Sequence, residues 1–300
     1  MDFSDLLIQT IINGILIGGL YGVMTLGFSV IWGVMGVINL AHGEFLMLGA
    51  YMAWVLNKQQ GWEPFLTLLV ILPVMFLLGY AIQNILINRI IEKPYLIALL
   101  VTYGLAIVMA STVKLIYTAN PRITTTQFSG FWEFEFAGFV LPVTKTLILI
   151  AALLMMIGLY LFLQRTRFGK SIRAAAQNRE AARMVGIEIN KVYAATFGIC
   201  IALTGAAGML LSPLGSIHPF MGAAWTLKAF AITAMAGLGN IPGALLAGML
   251  LGLVENLLAT FVPTVGSSVG IISSFVLLVI VLVTRPQGLF GGLRAPQEIS

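Results

Sequence analysis

"GVMGVINLAHGEFLMLGAY", residues 33–51, sets an asparagine, a histidine and a glutamate into otherwise apolar sequence. The segment before it, 6–32, is predominantly apolar, and so is the segment after it up to residue 56. Asn39, His42 and Glu44 therefore stand where water is scarce, and the "GVMG" just before them carries two glycines that can interrupt a helix. An ionisable residue inside a membrane is costly, and it is usually tied to a pathway, a relay or a specific partner. The fold and the site are thus read from the same stretch.

The whole chain supports the membrane reading. Of its 300 residues, 59% are hydrophobic and 9% are charged, with a mean hydropathy of +1.01. A soluble domain carries about 25% charged residues. Lipid is therefore the solvent for most of this chain. A spanning helix takes ~20 apolar residues, so the length bounds the count at about ten spans. The 32 glycines fit helices that approach closely. The start, "MDFSDLLIQT", is acidic and reads as a retained first span rather than a cleaved signal peptide. The one cysteine, Cys200, lies in an apolar run and reads as a buried structural thiol. The net charge of +5 is not a nucleic-acid footprint, because its distribution follows the loops.

Apolar stretches separated by polar or turn residues map to 6–32, 40–56, 65–87, 95–117, 143–163, 192–211, 225–238, 244–262 and 269–284. Arg89 and Lys93 fall in one connection, and Arg165, Arg167, Lys170, Arg173, Arg179, Arg183 and Lys191 in another. Both join an odd span to an even one, so they share a face, and the excess of Lys and Arg makes that face cytoplasmic. The N-terminus is then outside, and the polar interval 118–142 faces outward. Arg285 and Arg294 place the tail inside, which needs an odd number of crossings. Counting 225–238 as a short span gives nine, and treating it as re-entrant gives eight. The expected fold is an all-α integral membrane protein, a polytopic helical bundle of about 8–9 transmembrane segments with broken or re-entrant helices.

On a continuous helix, Asn39, His42 and Gly43 share a face, while Glu44 lies roughly 140° from Asn39. The three polar side chains cannot then converge on one metal. Alternatively Asn39 caps a helix starting at Leu40, leaving 33–38 irregular at membrane depth. Such backbone survives only when buried in protein or lining a wet cavity. The polar trio either fixes packing by bonding to neighbouring helices, touches the transported molecule, or serves gating or proton linkage. A second stretch, "GLGNIPGALLAGMLLGLVEN", echoes the first, with Asn240 before a small-residue helix and Glu255 within it. Such repeats underlie many transporter folds. Glu255 and Asn256 either face a polar pathway or are satisfied against a neighbouring helix, and Lys228 in "WTLKAF" reads as snorkelling near an interface. Gly14, Gly18 and Gly22 form a double GxxxG, joined by Gly239/Gly243, Gly248/Gly252 and Gly266/Gly270, all read as close helix packing.

The basic stretch 164–191 is polar, alanine-rich and helix-favouring. Asn178 is placed to cap a short helix from 179 to 185, and Gly186 to end it. Such an element suits either docking to a cytoplasmic partner or anchoring to lipid headgroups. "RFGKS" within it imitates the end of a phosphate-binding loop, but the glycine that loop needs at 164 is Gln164. His42 and His218 are the only histidines, and no catalytic or metal-binding spacing is present in the sequence.

"NLAHGEFLMLGAY", "NREAARMVGIEINKV", "AGLGNIPGALLAG" and "TRPQGLFG" occur in the order found in the branched-chain amino acid ABC importer permeases of the LivH type, and the chain resembles that family over about 13–292. The resemblance implies one permease domain over 1–300, with 164–191 as its cytoplasmic coupling loop. It also implies a multi-pass bacterial inner-membrane subunit without an ATPase or cofactor of its own. Its implied partners are a second permease of the LivM type, two cytoplasmic ABC ATPase subunits and a periplasmic substrate-binding protein. Glu180, Ala181 and Ala182, followed by Gly186, resemble the loop that seats in the ATPase of such importers. Importer permeases often continue with a hydrophobic–proline element, and here "NKVYAATF" has no proline. Related permeases carry branched-chain amino acids, other amino acids, urea or short amides, so substrate choice is open at this level. An ion-coupled secondary transporter would use Glu44 or Glu255 for coupling and need no docking helix.

Overall fold

The computed structural model describes residues 3–128, 133–136, 139–262 and 269–290. Arg294 of the basic tail and Gly266 of the last GxxxG pair lie outside these residues. Eleven helices occur among the described residues: α1 (Phe3–Met35), α2 (His42–Gln60), α3 (Leu68–Ile85), α4 (Tyr95–Tyr117), α5 (Val143–Arg165), α6 (Arg167–Gln177), α7 (Arg179–Met184), α8 (Ile189–Leu211), α9 (Gly222–Ala236), α10 (Ile241–Phe261) and α11 (Val269–Thr284). The polar interval contributes one antiparallel hairpin, β1 (Glu133–Phe136) with β2 (Phe139–Pro142), which the sequence reading did not anticipate.

Among the described residues, six helices are long and apolar enough to cross a membrane: α1, α3 with its flanking single turns, α4, α5, α8 and α10. The other three apolar stretches of the sequence also form helices, but α9 and α11 have only 15 and 16 residues. At 1.5 Å per residue these are roughly 22–24 Å long, less than a ~30 Å hydrocarbon core. α2 has 19 residues but carries His42 and Glu44 at one end and Lys58 at the other.

Two helices form the centre. The apolar windows of α1 and α8 are 89% and 83% buried, against 22–33% for the other four. Both are apolar all round, which is the pattern of a helix surrounded by other helices. α1 runs antiparallel to α10 along the glycine ladder. A Cβ on Gly18 would stand 2.5 Å from Met249 Cα, and one on Gly252 would stand 2.6 Å from Gly18 Cα, so neither site admits a methyl group. The packing read from Gly14, Gly18, Gly22, Gly248 and Gly252 is thus observed. The Gly239/Gly243 pair is different. Gly239 lies in the turn before α10 at φ +71°, and Gly243 faces the side chain of Asn240, so this pair is a turn and not a helix–helix motif.

The helix ends sort into two groups. Glu92, between α3 and α4, pairs with Arg179 and Arg183 of α7. The two basic connections therefore share one end of the bundle, as charge required. At the other end Asn57 bonds the Thr125 carbonyl at 3.0 Å, Glu63 bonds Thr126, and Arg122 and Ile217 exchange backbone bonds at 2.7 and 2.8 Å.

Candidate functional site

The opening stretch is a break between helices. α1 remains helical to Met35, two residues past the point expected for irregular backbone to begin. Gly36 then reverses the chain at φ +66°, a conformation that costs a Cβ-bearing residue steric strain. Residues 36–39 are non-helical, 40–41 form a turn, and α2 starts at His42. Asn39 is therefore not the N-cap. Its Oδ1 accepts from Ala41 N at 3.0 Å, a local turn that competes with capping. His42 shows where the chain has gone. Its ring Nε2–H donates to the Met24 carbonyl at 2.8 Å, since a carbonyl can only accept. Met24 lies three turns, roughly 16 Å, before the end of α1. The segment thus returns along α1 and begins α2 inside the bundle.

A helix start buried in this way must satisfy its free N–H groups. His42 N bonds Asn39 O at 3.1 Å, Glu44 N bonds Ala41 O at 3.0 Å, and Gly43 N bonds Thr226 Oγ1 of α9 at 2.8 Å. Thr226 also donates to Leu40 O at 3.3 Å, while Leu40 N donates to Thr102 Oγ1 of α4 at 3.2 Å. Two threonines thus hold the break from opposite helices. Asn39, His42 and Glu44 are all buried, and His42 meets the Phe28 ring edge-on at 5.1 Å. The Glu44 carboxyl packs against Gly222, where any side chain would collide with it.

The remaining candidates sit elsewhere. Asn240 is the N-cap of α10, with Oδ1 accepting from Gly243 N at 2.9 Å and Nδ2 donating to Phe290 O at 2.6 Å. It borders a cavity of about 430 Å³ at the basic end, lined also by Val30, Val34, Tyr160, Gln164 and Arg173. The echo between the two sequence stretches does not become structural here: Asn39 makes a turn before its helix, and Asn240 caps one. Asn256 donates to Gly252 O within α10 at 3.1 Å. Glu255 forms an ion pair with Lys228, whose Nζ lies 3.1 and 3.0 Å from its two oxygens and 3.1 Å from Tyr21 OH. Lys228 is therefore not snorkelling. It is buried, because this ion pair and the Tyr21 hydroxyl replace the water a free ammonium would need. Lone opposite charges in "WTLKAF" and "LVEN" were the signal that would have found the pair.

In the basic segment, Thr166 caps α6 by accepting from Gly169 N at 2.9 Å. Asn178 caps α7 by accepting from Ala181 N at 2.9 Å, and Gly186 follows the helix at φ +84°. These are the cap and stop read from the sequence, although the helix ends at Met184 rather than 185. Glu180 and Ala181 face solvent, whereas Ala182 is turned inward at 3% exposure. Met184 and Val185 are 82% and 77% exposed, an apolar tip that sequence reasoning passed over.

These arrangements are a re-entrant break, a buried ion pair and a protruding helix, and all suit conduction and docking better than bond chemistry. The family described as branched-chain amino acid transport system / permease component matches residues 10–284. Over 95% of both chains, the protein is 32% identical to the high-affinity branched-chain amino acid transport system permease protein BraD of Pseudomonas aeruginosa. It is 30% identical to the corresponding permease protein LivH of Escherichia coli (strain K12), again over 95% of each chain. A more distant relative is the ribose import permease protein RbsC of Escherichia coli (strain K12), 27% identical over 85% of this chain and 77% of that one. No solved structure matches. The chain is a multi-pass membrane protein, and it belongs to the branched-chain amino acid transport system permease component family.

Proposed function

We propose that this chain is the transmembrane permease subunit of an ATP-binding-cassette importer that moves branched-chain or closely related amino acids across a bacterial inner membrane. The observation that carries this reading is the full-length relationship to two permeases named for that transport. On this reading the whole of 1–300 is one permease domain, its N-terminus is periplasmic, and ATP is hydrolysed on separate subunits. A second permease of the LivM type, two cytoplasmic ATPases and a periplasmic binding protein complete the assembly.

The coupling element in this proposal is 164–191. Glu180, Ala181, Ala182 and Gly186 shape α7, but the surface offered to an ATPase cleft is the apolar tip of Met184 and Val185. Ala182 and the ion pairs from Glu92 hold α7 against the permease. The break at Asn39, His42 and Glu44 lies beside the proposed path, with Asn240 at its cytoplasmic end and Glu255 and Asn256 deeper along it. The test is purification of the tagged chain with its neighbouring gene products, followed by uptake of labelled leucine and of urea into liposomes. Recovery of two ATPase subunits with ATP-dependent leucine uptake supports the proposal. Uptake driven by an ion gradient without ATP would replace it with a secondary transporter, and ATP-dependent uptake of urea alone would reassign the substrate.

A further inference from the structure

Resting on the amino-acid reading above, we infer that Tyr21, Trp225, Lys228 and Glu255 form a station for a zwitterionic α-amino acid, in which Lys228 occupies the ammonium site until the substrate arrives. The Lys228 ammonium is enclosed by four groups. Both Glu255 oxygens and the Tyr21 hydroxyl accept its hydrogens at 3.0–3.1 Å. The ring centroids of Tyr21 and Trp225 lie 4.2 and 4.9 Å away, and the two rings meet edge-to-face at 5.9 Å. A carboxylate with two aromatic faces is the contact set that binds organic ammonium ions in general. Nothing in these contacts depends on the ammonium being tethered to α9.

The pair also lies at a boundary. The side chains of Lys228 and Glu255 keep 10% and 20% of their exposure, Asn256 beside them is half-buried, and Ala223 and Ala224 one to two turns away on α9 are exposed. Charged groups at membrane depth face protein or water rather than hydrocarbon. By that rule the open side of this face of α9 and α10 is taken to border protein or water rather than lipid tails. An amino acid entering it carries one ammonium and one carboxylate, the same two groups that the pair presents. Its ammonium can take Glu255 and the two rings, while its carboxylate takes the displaced Lys228. One ion pair becomes two, no charge is left uncompensated, and net charge in the site is unchanged. An uncharged amide or sugar offers no such exchange, because separating the pair would leave two buried charges unpaired.

The test uses the complete transporter in liposomes with its binding protein, and labelled leucine as the probe. K228M and E255Q should each lower kcat/KM for uptake by about ten-fold or more, the loss of one charge-assisted interaction. The double variant K228M/E255M separates station from scaffold. Replacing both members of a structural pair by apolar side chains of similar size is often close to neutral for the fold, so a scaffold would regain uptake, whereas a station would not. Recovery of the assembled complex reports folding separately. In detergent without the binding protein, leucine should change the emission of Trp225, and W225F and E255Q should each abolish that change. Normal wild-type uptake with restored uptake in the double variant, or no Trp225-dependent change at any leucine concentration, would overturn the station alone. Failure of the wild-type complex to import leucine would overturn the amino-acid reading and the station with it.

Discussion

Replacing Thr226 with valine keeps the shape of the side chain and removes one oxygen. That oxygen accepts from Gly43 N at 2.8 Å and donates to Leu40 O at 3.3 Å, so two backbone groups of the break lose their partner together. Gly43 N is in the first turn of α2 and has no intrahelical acceptor, and Leu40 O belongs to the turn that precedes it. An orphaned buried N–H costs about 1–3 kcal/mol. The longer bond to Leu40 O adds less, so the expected loss is about 2–3 kcal/mol. Thr226→Ser keeps the hydroxyl and should recover most of it. The measurement is thermal or denaturant unfolding in a lipid nanodisc, paired with uptake. Thr102→Val should act in the same direction through Leu40 N, and the two should combine non-additively because they hold one segment. Thr226→Val within about 0.5 kcal/mol of the parent protein, with normal uptake, would refute the claim that the break is held by these hydroxyls.

Other outcomes follow from the packing. Gly18→Leu should cost at least the ~1–3 kcal/mol of overpacking, because the added Cβ alone would stand 2.5 Å from Met249 Cα; a melting temperature equal to the parent's would contradict this. Cysteines at Asn178 and Thr125, in a Cys200→Ser background, should label from opposite sides of the membrane, and labelling of both from the periplasm would refute the proposed topology. Met184→Ala with Val185→Ala should reduce ATPase recovery while leaving the melting temperature of the isolated permease within experimental scatter. Ala182→Phe should do the reverse first, lowering that melting temperature, since Ala182 is 3% exposed; equal effects of both changes on ATPase recovery alone would show that α7 is oriented differently.

Much of the architecture was legible because lipid leaves few choices. Apolar runs with polar punctuation marked the helices, and basic residues sorted the connections by side. The glycine ladder of α1 was readable because GxxxG on two helices has one economical use. The site was less legible, for a physical reason. Asn39, His42 and Glu44 announced a break, but the groups that satisfy it, Thr102 and Thr226, lie 60 to 190 residues away, and a threonine in a membrane helix usually bonds its own backbone. Lys228 was misread for the same reason, because its partners are on α1 and α10 and no local pattern names them. Asn39 lost the capping role because the helix begins two residues later than its position suggested, and caps are decided by backbone angles that sequence only biases.

The position of α8 joins the two ends of this account. It follows α7 after a turn at Gly186, and it is buried along most of its length against α1, α2 and α3. Its Gly205 and Gly208 press directly on the backbone of α2 at Gly49 and Leu46, only one to two turns beyond the buried start of that helix. Contacts of backbone on backbone have no flexible side chain to absorb displacement. If α7 is driven by an ATPase, as proposed, α8 must either move as a rod or bend, and it has no proline at which to bend. A rod that shifts must carry α2 with it or lose the contact at Gly49. The break at residues 36–41 is where such a shift can be taken up, because it is non-helical and is held by hydroxyls rather than by a continuous helical ladder. On this argument the hydroxyls of Thr102 and Thr226 keep a hinge satisfied while the helix beyond it is free to move.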